Sequence, residues 1–380
     1  MTIKAKLPFR NMAPQAWQNL AVAGLLFFYL IYTLLEVILH TMCGQIGVDY
    51  CDYWSAGRVA NLHGYAEIYN VQILGQVEKS ILPATTDPSR IAVVPFPYLP
   101  IFVLPFQILS LLAPEIGFWI WNAINLIIFF FYLRYFTRSL NQRPPSTRLM
   151  ILMLASLPVY LNIFSGQVAV WLTICVGEFM RAFINKRPFR AGLWLGGLLL
   201  KPQILVVVVL VLLLQRAIRI LAGLATSSLF IIIVSVLLSG PAGFIQILKL
   251  WLTYANGQAS IWVEAMMNWR MLGLHLSLTN PWIARGIAGF GMLATLSVTL
   301  WVWRRPLIPD MLSFPVAVMG ILAASATIAW HSHIHTAMIL IPPMIYLYQA
   351  KNLPQKKHWI IGFSCQHFSS LSSCSYQKQW

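Results

Sequence analysis

Charge is what this chain is short of. Only 9% of its 380 residues are charged and only ten are acidic, while 59% are hydrophobic. A soluble domain carries about a quarter charged residues, so a soluble globular protein is excluded. With a mean hydropathy of +0.72, the composition reads as an all-α polytopic membrane protein. Cysteine is scarce too. The five cysteines form no CxxC pair, which removes zinc-ribbon and thioredoxin-like sites. Cys43 and Cys51 share one loop and have the spacing for a bridge, but two separate thiols are the expectation. No internal repeat or soluble domain is visible. The net charge of +16 would point a soluble protein toward nucleic acid. In a membrane chain it reflects Lys and Arg gathering in cytoplasmic loops, and no nucleic-acid partner is expected.

What is present in quantity is long apolar runs. A span needs roughly 20 apolar residues, and about ten fit: 17–40, 93–113, 116–136, 148–165, 167–184, 190–214, 217–239, 281–303, 311–330 and 336–349. The first is longer than a signal h-region and no small-residue cleavage site follows it. It reads as a retained span behind a cytoplasmic N-terminus, residues 1–16. The basic groups Arg134–Arg148, Arg181–Arg190, Arg216 with Arg219, Arg304 with Arg305, and Lys351–Lys357 all belong inside by charge. Simple alternation of ten spans puts the first two groups outside. A second topology repairs this: 93–113, with Pro95, Pro97, Pro100 and Pro105, dips without crossing, and 190–214 splits into a hairpin at "KPQ". Both topologies place 41–92, 240–280 and 331–335 on the outer side. The chain thus reads as one integral membrane domain over 17–350, followed by a basic, then Ser-rich tail at 351–380 that resembles a disordered end or a truncated last span.

The outer segments hold the polar chemistry. Segment 41–92 contains five of the ten acids: Asp49, Asp52, Glu67, Glu78 and Asp87. Its stretch "DYWSAGRVANLH" has helical spacing and is expected to lie along the membrane surface as an amphipathic helix. Asp49 stands where a helix would begin, the position of an N-cap. Asp52, three residues on, shares its face, and the pair suits cation binding or acid–base chemistry. "FPYLPIFVLP" (96–105), with Tyr98, reads as a kinked span or the edge of a site. "NIFSGQ" (162–167) reads as a turn whose Gln167 offers donor and acceptor at an interface. Lys201 lies midway along an apolar run with Pro202 after it. An ionisable group at membrane depth is costly and marks function, here the binding of an anion such as phosphate. "HSHIH" brings His331, His333 and His335 together. His331 and His335 are spaced like a metal pair, but no acid or cysteine stands beside them, so no metal or other cofactor is assigned. Hydrogen bonding to phosphate or sugar, or plain interfacial placement, remain. Glu36 and His40, one turn apart, read as satisfying each other, and Glu178 with Arg181 as a structural pair.

The order of these features resembles the polytopic glycosyltransferases of the C superfamily, and within them glycosyltransferase family 87. The matching elements are Asp49 after the first span, Tyr53-Trp54 with Ala56-Gly57, Ile68-Tyr69, "FPYLP" where the family has "YPP", Gly166-Gln167, Lys201-Pro202 and "HSHIH". Together they run over about residues 20 to 350. The resemblance implies a polyprenyl-phosphate-linked sugar as donor, with mannose the default, a glycolipid or glycan acceptor, and an active site on the outer face of the cell membrane. It implies Asp49 as catalytic base with Asp52 secondary. Lys201, Arg270 and His331 would hold the donor phosphate, and Tyr53, Tyr98, Gln167, His333 and His335 would line the substrates among membrane lipid. Single displacement at the anomeric carbon would invert its configuration. A secondary transporter, which also places ionisable groups at broken helices, and an inactive scaffold are the alternatives.

Overall fold

The computed structural model describes residues 14–39, 43, 46–81, 95–140, 147–255, 266–277, 280–308 and 313–349. The described residues are mostly helical, with short non-helical connections and one isolated antiparallel bridge between Met266 and His333. Four helices are each long and apolar enough to cross a membrane: α1 (Pro14–Leu39), α5 (Pro114–Ser139), α11 (Ile218–Ala255) and α13 (Pro281–Val302). They show large apolar side chains such as Phe28, Phe131, Leu237 and Phe290 on the outside of the molecule, the arrangement a lipid solvent favours.

The remaining apolar runs are shorter or broken, each for a local reason. Run 93–113 is not one helix. A 3₁₀ turn at Pro100–Val103 leads into α4 (Leu104–Leu109), far short of a crossing, because closely spaced prolines remove backbone donors. Run 148–165 breaks before Pro158 into α6 (Thr147–Leu154) and α7 (Leu157–Ser165). Run 167–184 is α8 (Ala169–Ile184), and Arg181 Nε donates to both carboxylate oxygens of Glu178, at 2.9 and 3.0 Å. Run 190–214 divides at Lys201 into α9 (Pro188–Gly196), 3₁₀ turns at Gly197–Leu200 and Pro202–Ile204, and α10 (Leu205–Leu214). Past residue 239 the chain stays helical for a further stretch. α11 runs on to Ala255 with a kink at Gly240, whose φ is 68° and which Pro241 follows. Beyond it come α12 (Trp269–Leu276), α13 and α14 (Ser313–Ile328), then a 3₁₀ segment at Ile334–Leu340 and α15 (Ile341–Gln349).

Two expectations for segment 41–92 are corrected. The helix at "DYWSAGRVANLH" exists as α2 (Val48–His63), but it does not lie on a surface. Every residue from Tyr50 to Gly57 is buried. Small residues permit this. A Cβ on Gly57 would collide with the Phe106 carbonyl, and one on Gly117 with the Tyr50 hydroxyl, so α4 and α5 press against α2 at glycines. Cys43 and Cys51 are also not separate thiols but a disulfide, their Cα atoms 5.6 Å apart, inside the bridging range. The tail at 351–380, His40, Asp87 and Trp262 lie outside the described residues. Glu36 accepts a hydrogen bond from Tyr32 one turn before it.

Candidate active site

The first wall is the start of α2. Its N-cap is Gly47, at φ 70°, so Asp49 is no cap. It sits in the first turn, where the helix dipole favours an anion. The Gly47 N–H donates to the Phe164 carbonyl (2.8 Å), and a Cβ on Gly166 would press within 2.5 Å of Tyr50 Cβ. Gly166 ends α7 at φ 73°, a conformation that glycine adopts without strain. The "GQ" turn thus seats the helix that carries Asp49. Gln167 is buried in this turn, with its N–H on the Asn162 carbonyl at 2.8 Å and its side-chain oxygen facing Val168 N at 3.4 Å. Asn162 in turn caps α8 by accepting from Ala169 N at 2.9 Å, and Trp121 Nε1 donates to Gly166 O at 2.9 Å.

The second wall is aromatic. The Tyr53 and Tyr98 hydroxyls are 2.9 Å apart and both rings are buried. Tyr69 donates to the Tyr98 carbonyl at 2.6 Å, and Trp251 of α11 to the Pro97 carbonyl at 2.7 Å. The "YW", "lY" and "FPYLP" elements are therefore one hydrogen-bonded unit. Asp52 is buried on the same helix. Burial first, then Glu78 of α3 (Val71–Ser80) and Asp49, hold its carboxyl well above the ordinary carboxylate range.

The third wall is cationic. At Lys201 the backbone leaves the helix (φ −136°, ψ 79°), and the buried side chain places Nζ 2.8 Å from His335 Nε2. Asp49 lies within electrostatic reach of this ammonium. The imidazoles of His331, His333 and His335 follow one another with ring centroids 4.7 and 5.7 Å apart. Arg270, near the start of α12, acts on His331. Gln203, two residues after Lys201, donates to the His331 carbonyl at 3.0 Å, and Met267 N donates to the Ser332 carbonyl at 2.9 Å. Asn268 caps α12 and donates to the Ala329 carbonyl at 3.0 Å. Among the described residues no cluster of three or more His, Cys, Asp or Glu has the geometry of a metal site.

The structure thus brings Asp49, Lys201, Arg270, His331, His333 and His335 into one polar chain. Tyr53 and Tyr98 pair beside it, and Gln167 lies behind the first turn of α2. Glu78, Asn162, Gln203 and Asn268 are the supporting residues that spacing did not single out. Each is a polar side chain in or beside an apolar run, and Gln203 stood within the "KPQ" break. The arrangement can do two things chemically. A carboxylate at a helix start can accept a proton, and a set of cations and imidazoles a short distance away can stabilise an anion.

No curated protein and no solved structure matches the chain. The family model of glycosyltransferase family 87 matches residues 96–331. That segment holds Tyr98, Gln167, Lys201, Arg270 and His331, while Asp49, Asp52, Tyr53, His333 and His335 flank it. A match over more than half of an all-helical, membrane-crossing chain shows the family: this chain belongs to glycosyltransferase family 87 and is a membrane glycosyltransferase.

Proposed function

We propose that the protein moves a hexose, mannose in the first instance, from a polyprenyl-phosphate donor to a glycolipid or glycan acceptor at the extracytoplasmic face of the cell membrane. The observation that carries this reading is Lys201, a cation buried at a helix break with Asp49 in electrostatic reach. The donor's phosphodiester is an anion that its lipid tail anchors at the membrane interface, and it needs a cation there. Lys201, Arg270 and His331 offer the countercharge, and the apolar helices flank the lipid. Asp49 takes the proton of the acceptor hydroxyl as that oxygen bonds to the anomeric carbon. The bond from that carbon to the phosphate oxygen breaks, and its electron pair leaves with polyprenyl phosphate. One displacement inverts the configuration. The leaving phosphate gains a negative charge in this step, so stabilising it is the larger demand on the site, and holding both substrates in register supplies much of the rate. The Tyr53–Tyr98 pair and Gln167 shape the acceptor side. The Cys43–Cys51 bridge supports the outer placement, since disulfides persist in oxidising compartments.

The test is incorporation of labelled mannose from a polyprenyl-phosphate donor into membrane acceptors, comparing the intact protein with Asp49→Asn. The variant should insert and fold normally and lose about 10²–10⁴-fold in rate, the usual contribution of a general base. Full activity in Asp49→Asn would remove the base from this site, and no transfer by the intact protein from this donor would overturn the donor assignment.

A further inference from the structure

The histidine segment carries one contact that the reaction as written does not use. Lys201 Nζ and His335 Nε2 are 2.8 Å apart, and both side chains are buried. An ammonium has three donors and no acceptor, so Nε2 must accept. An imidazole that accepts at Nε2 is neutral and carries its proton on Nδ1. We propose that His335 is a positioning residue that aims Lys201, engaging one of its three N–H bonds and leaving two for the donor's phosphate oxygens. The inference rests on the donor reading above, and it gives His335 a role that does not touch the donor.

Three features favour this assignment. Lys201 stands where the backbone has left the helix and the next residue is proline, so the main chain does little to fix its side chain. His335 arrives from 134 residues away on a 3₁₀ segment whose start is tied to Met266 by a bridge and to Gln203 through the His331 carbonyl. The contact therefore joins two braced pieces of chain. The charged and titratable groups around the pair are Asp49 from α2, which acts on Lys201, His333 and His331 on His335's own segment, and Arg270 from α12, which acts on His331. Apart from Asp49 these are cations or imidazoles. Protonating His335 would thus set a second positive charge against Lys201, with Asp49 opposing it among the described residues.

The experiment measures binding of a short-chain polyprenyl-phosphate mannose to purified protein in nanodiscs, for wild type, His335→Leu and His335→Gln, with melting temperatures recorded alongside. The probe is a phosphodiester, so its own charge stays constant between about pH 5 and 8. A glutamine amide oxygen replaces the Nε2 acceptor and does not titrate. We expect His335→Leu to weaken binding about ten- to a hundredfold, the usual weight of a hydrogen bond to a charged group, and His335→Gln to stay within about threefold of wild type. Burial, then Lys201, push the His335 imidazole well below its ordinary range, so the binding profiles of wild type and His335→Gln should run parallel between about pH 5 and 8. Equal affinities for the Leu and Gln variants overturn the assignment. If the Leu variant fails to fold, His335→Gln still decides, and a loss of affinity there beyond about threefold overturns the assignment. Folded wild type that does not bind the probe at any pH overturns the donor reading itself, a result distinct from the others.

Discussion

At the scale of single residues, the two carboxylates of α2 separate by environment. Asp49 lies partly exposed in the first turn, within electrostatic reach of Lys201. Asp52 is buried beside Glu78 and its carboxyl is held in the protonated direction, which suits neither a base nor a cation ligand at neutral pH. Asp52→Asn should therefore cost transfer far less than Asp49→Asn in the same labelled-sugar assay. It also has a stability signature. A carboxyl whose folded pKa is raised contributes stability that is present below its unfolded pKa and lost as pH rises through the folded value. Asn cannot ionise, so Asp52→Asn should melt at the same or a higher temperature than wild type at pH 7 and lose that advantage below about pH 4. Thermal melts across this range would refute the buried-acid reading if the variant were less stable at neutral pH. Sequence alone could pair Asp49 with Asp52, since three residues on a helix share a face. It could not tell them apart, because burial by Glu78 comes from another helix.

At the scale of elements, the breaks were more legible than the surfaces. Prolines at 95–105, glycine at 166 and the Lys201-Pro202 step mark helix interruptions through local backbone chemistry, and the structure breaks at or beside each one. Burial of α2 was not legible. Its residues are of mixed polarity with no pronounced apolar face, and what encloses it is the approach of other elements, α4 and α5 at Gly57 and Gly117 among them. That enclosure predicts the outcome of Gly57→Ala. The added methyl meets the Phe106 backbone rather than a side chain that can turn away. Overpacking of this kind costs about 1–3 kcal/mol, seen as a lower melting temperature with reduced transfer. A neutral Gly57→Ala would mean that the α2–α4 crossing is looser than described. The disulfide makes a parallel prediction. Cys43 and Cys51 are eight residues apart, and closing so short a loop is worth roughly 2–3 kcal/mol in the chain-entropy account. Cys51→Ser, or mild reduction, should lower the melting temperature and slow transfer by loosening the turn that holds Asp49. Unchanged melting after complete reduction would count against the bridge.

At the scale of the whole molecule, the sequence conveyed the class and the family. It counted about ten apolar runs, and four helices among the described residues are each long and apolar enough to cross alone. Hydropathy counts apolar runs, and a run shortened by proline or folded back on itself looks the same as a span until its contacts are known. The orientation is testable. The α2 end of the molecule should face the outside, and the basic end at Arg304 the cytoplasm. Because Cys43 and Cys51 are bonded to each other, only Cys175, Cys365 and Cys374 need replacing. A cysteine at His63 should then react with an impermeant thiol reagent in intact cells, and one at Arg304 only after permeabilisation. The reverse pattern would invert the topology. One more property of the whole chain follows from the contact between residues 201 and 335. A ribosome adds about 5–20 residues per second, so the 134 residues between them take roughly seven to twenty-seven seconds to appear. Throughout that interval the nascent chain carries an ammonium bound for the membrane interior whose histidine does not yet exist. The break at Lys201 must therefore settle late, after its neighbours have inserted, and chains that terminate before the histidines should be recognised by membrane quality control and cleared.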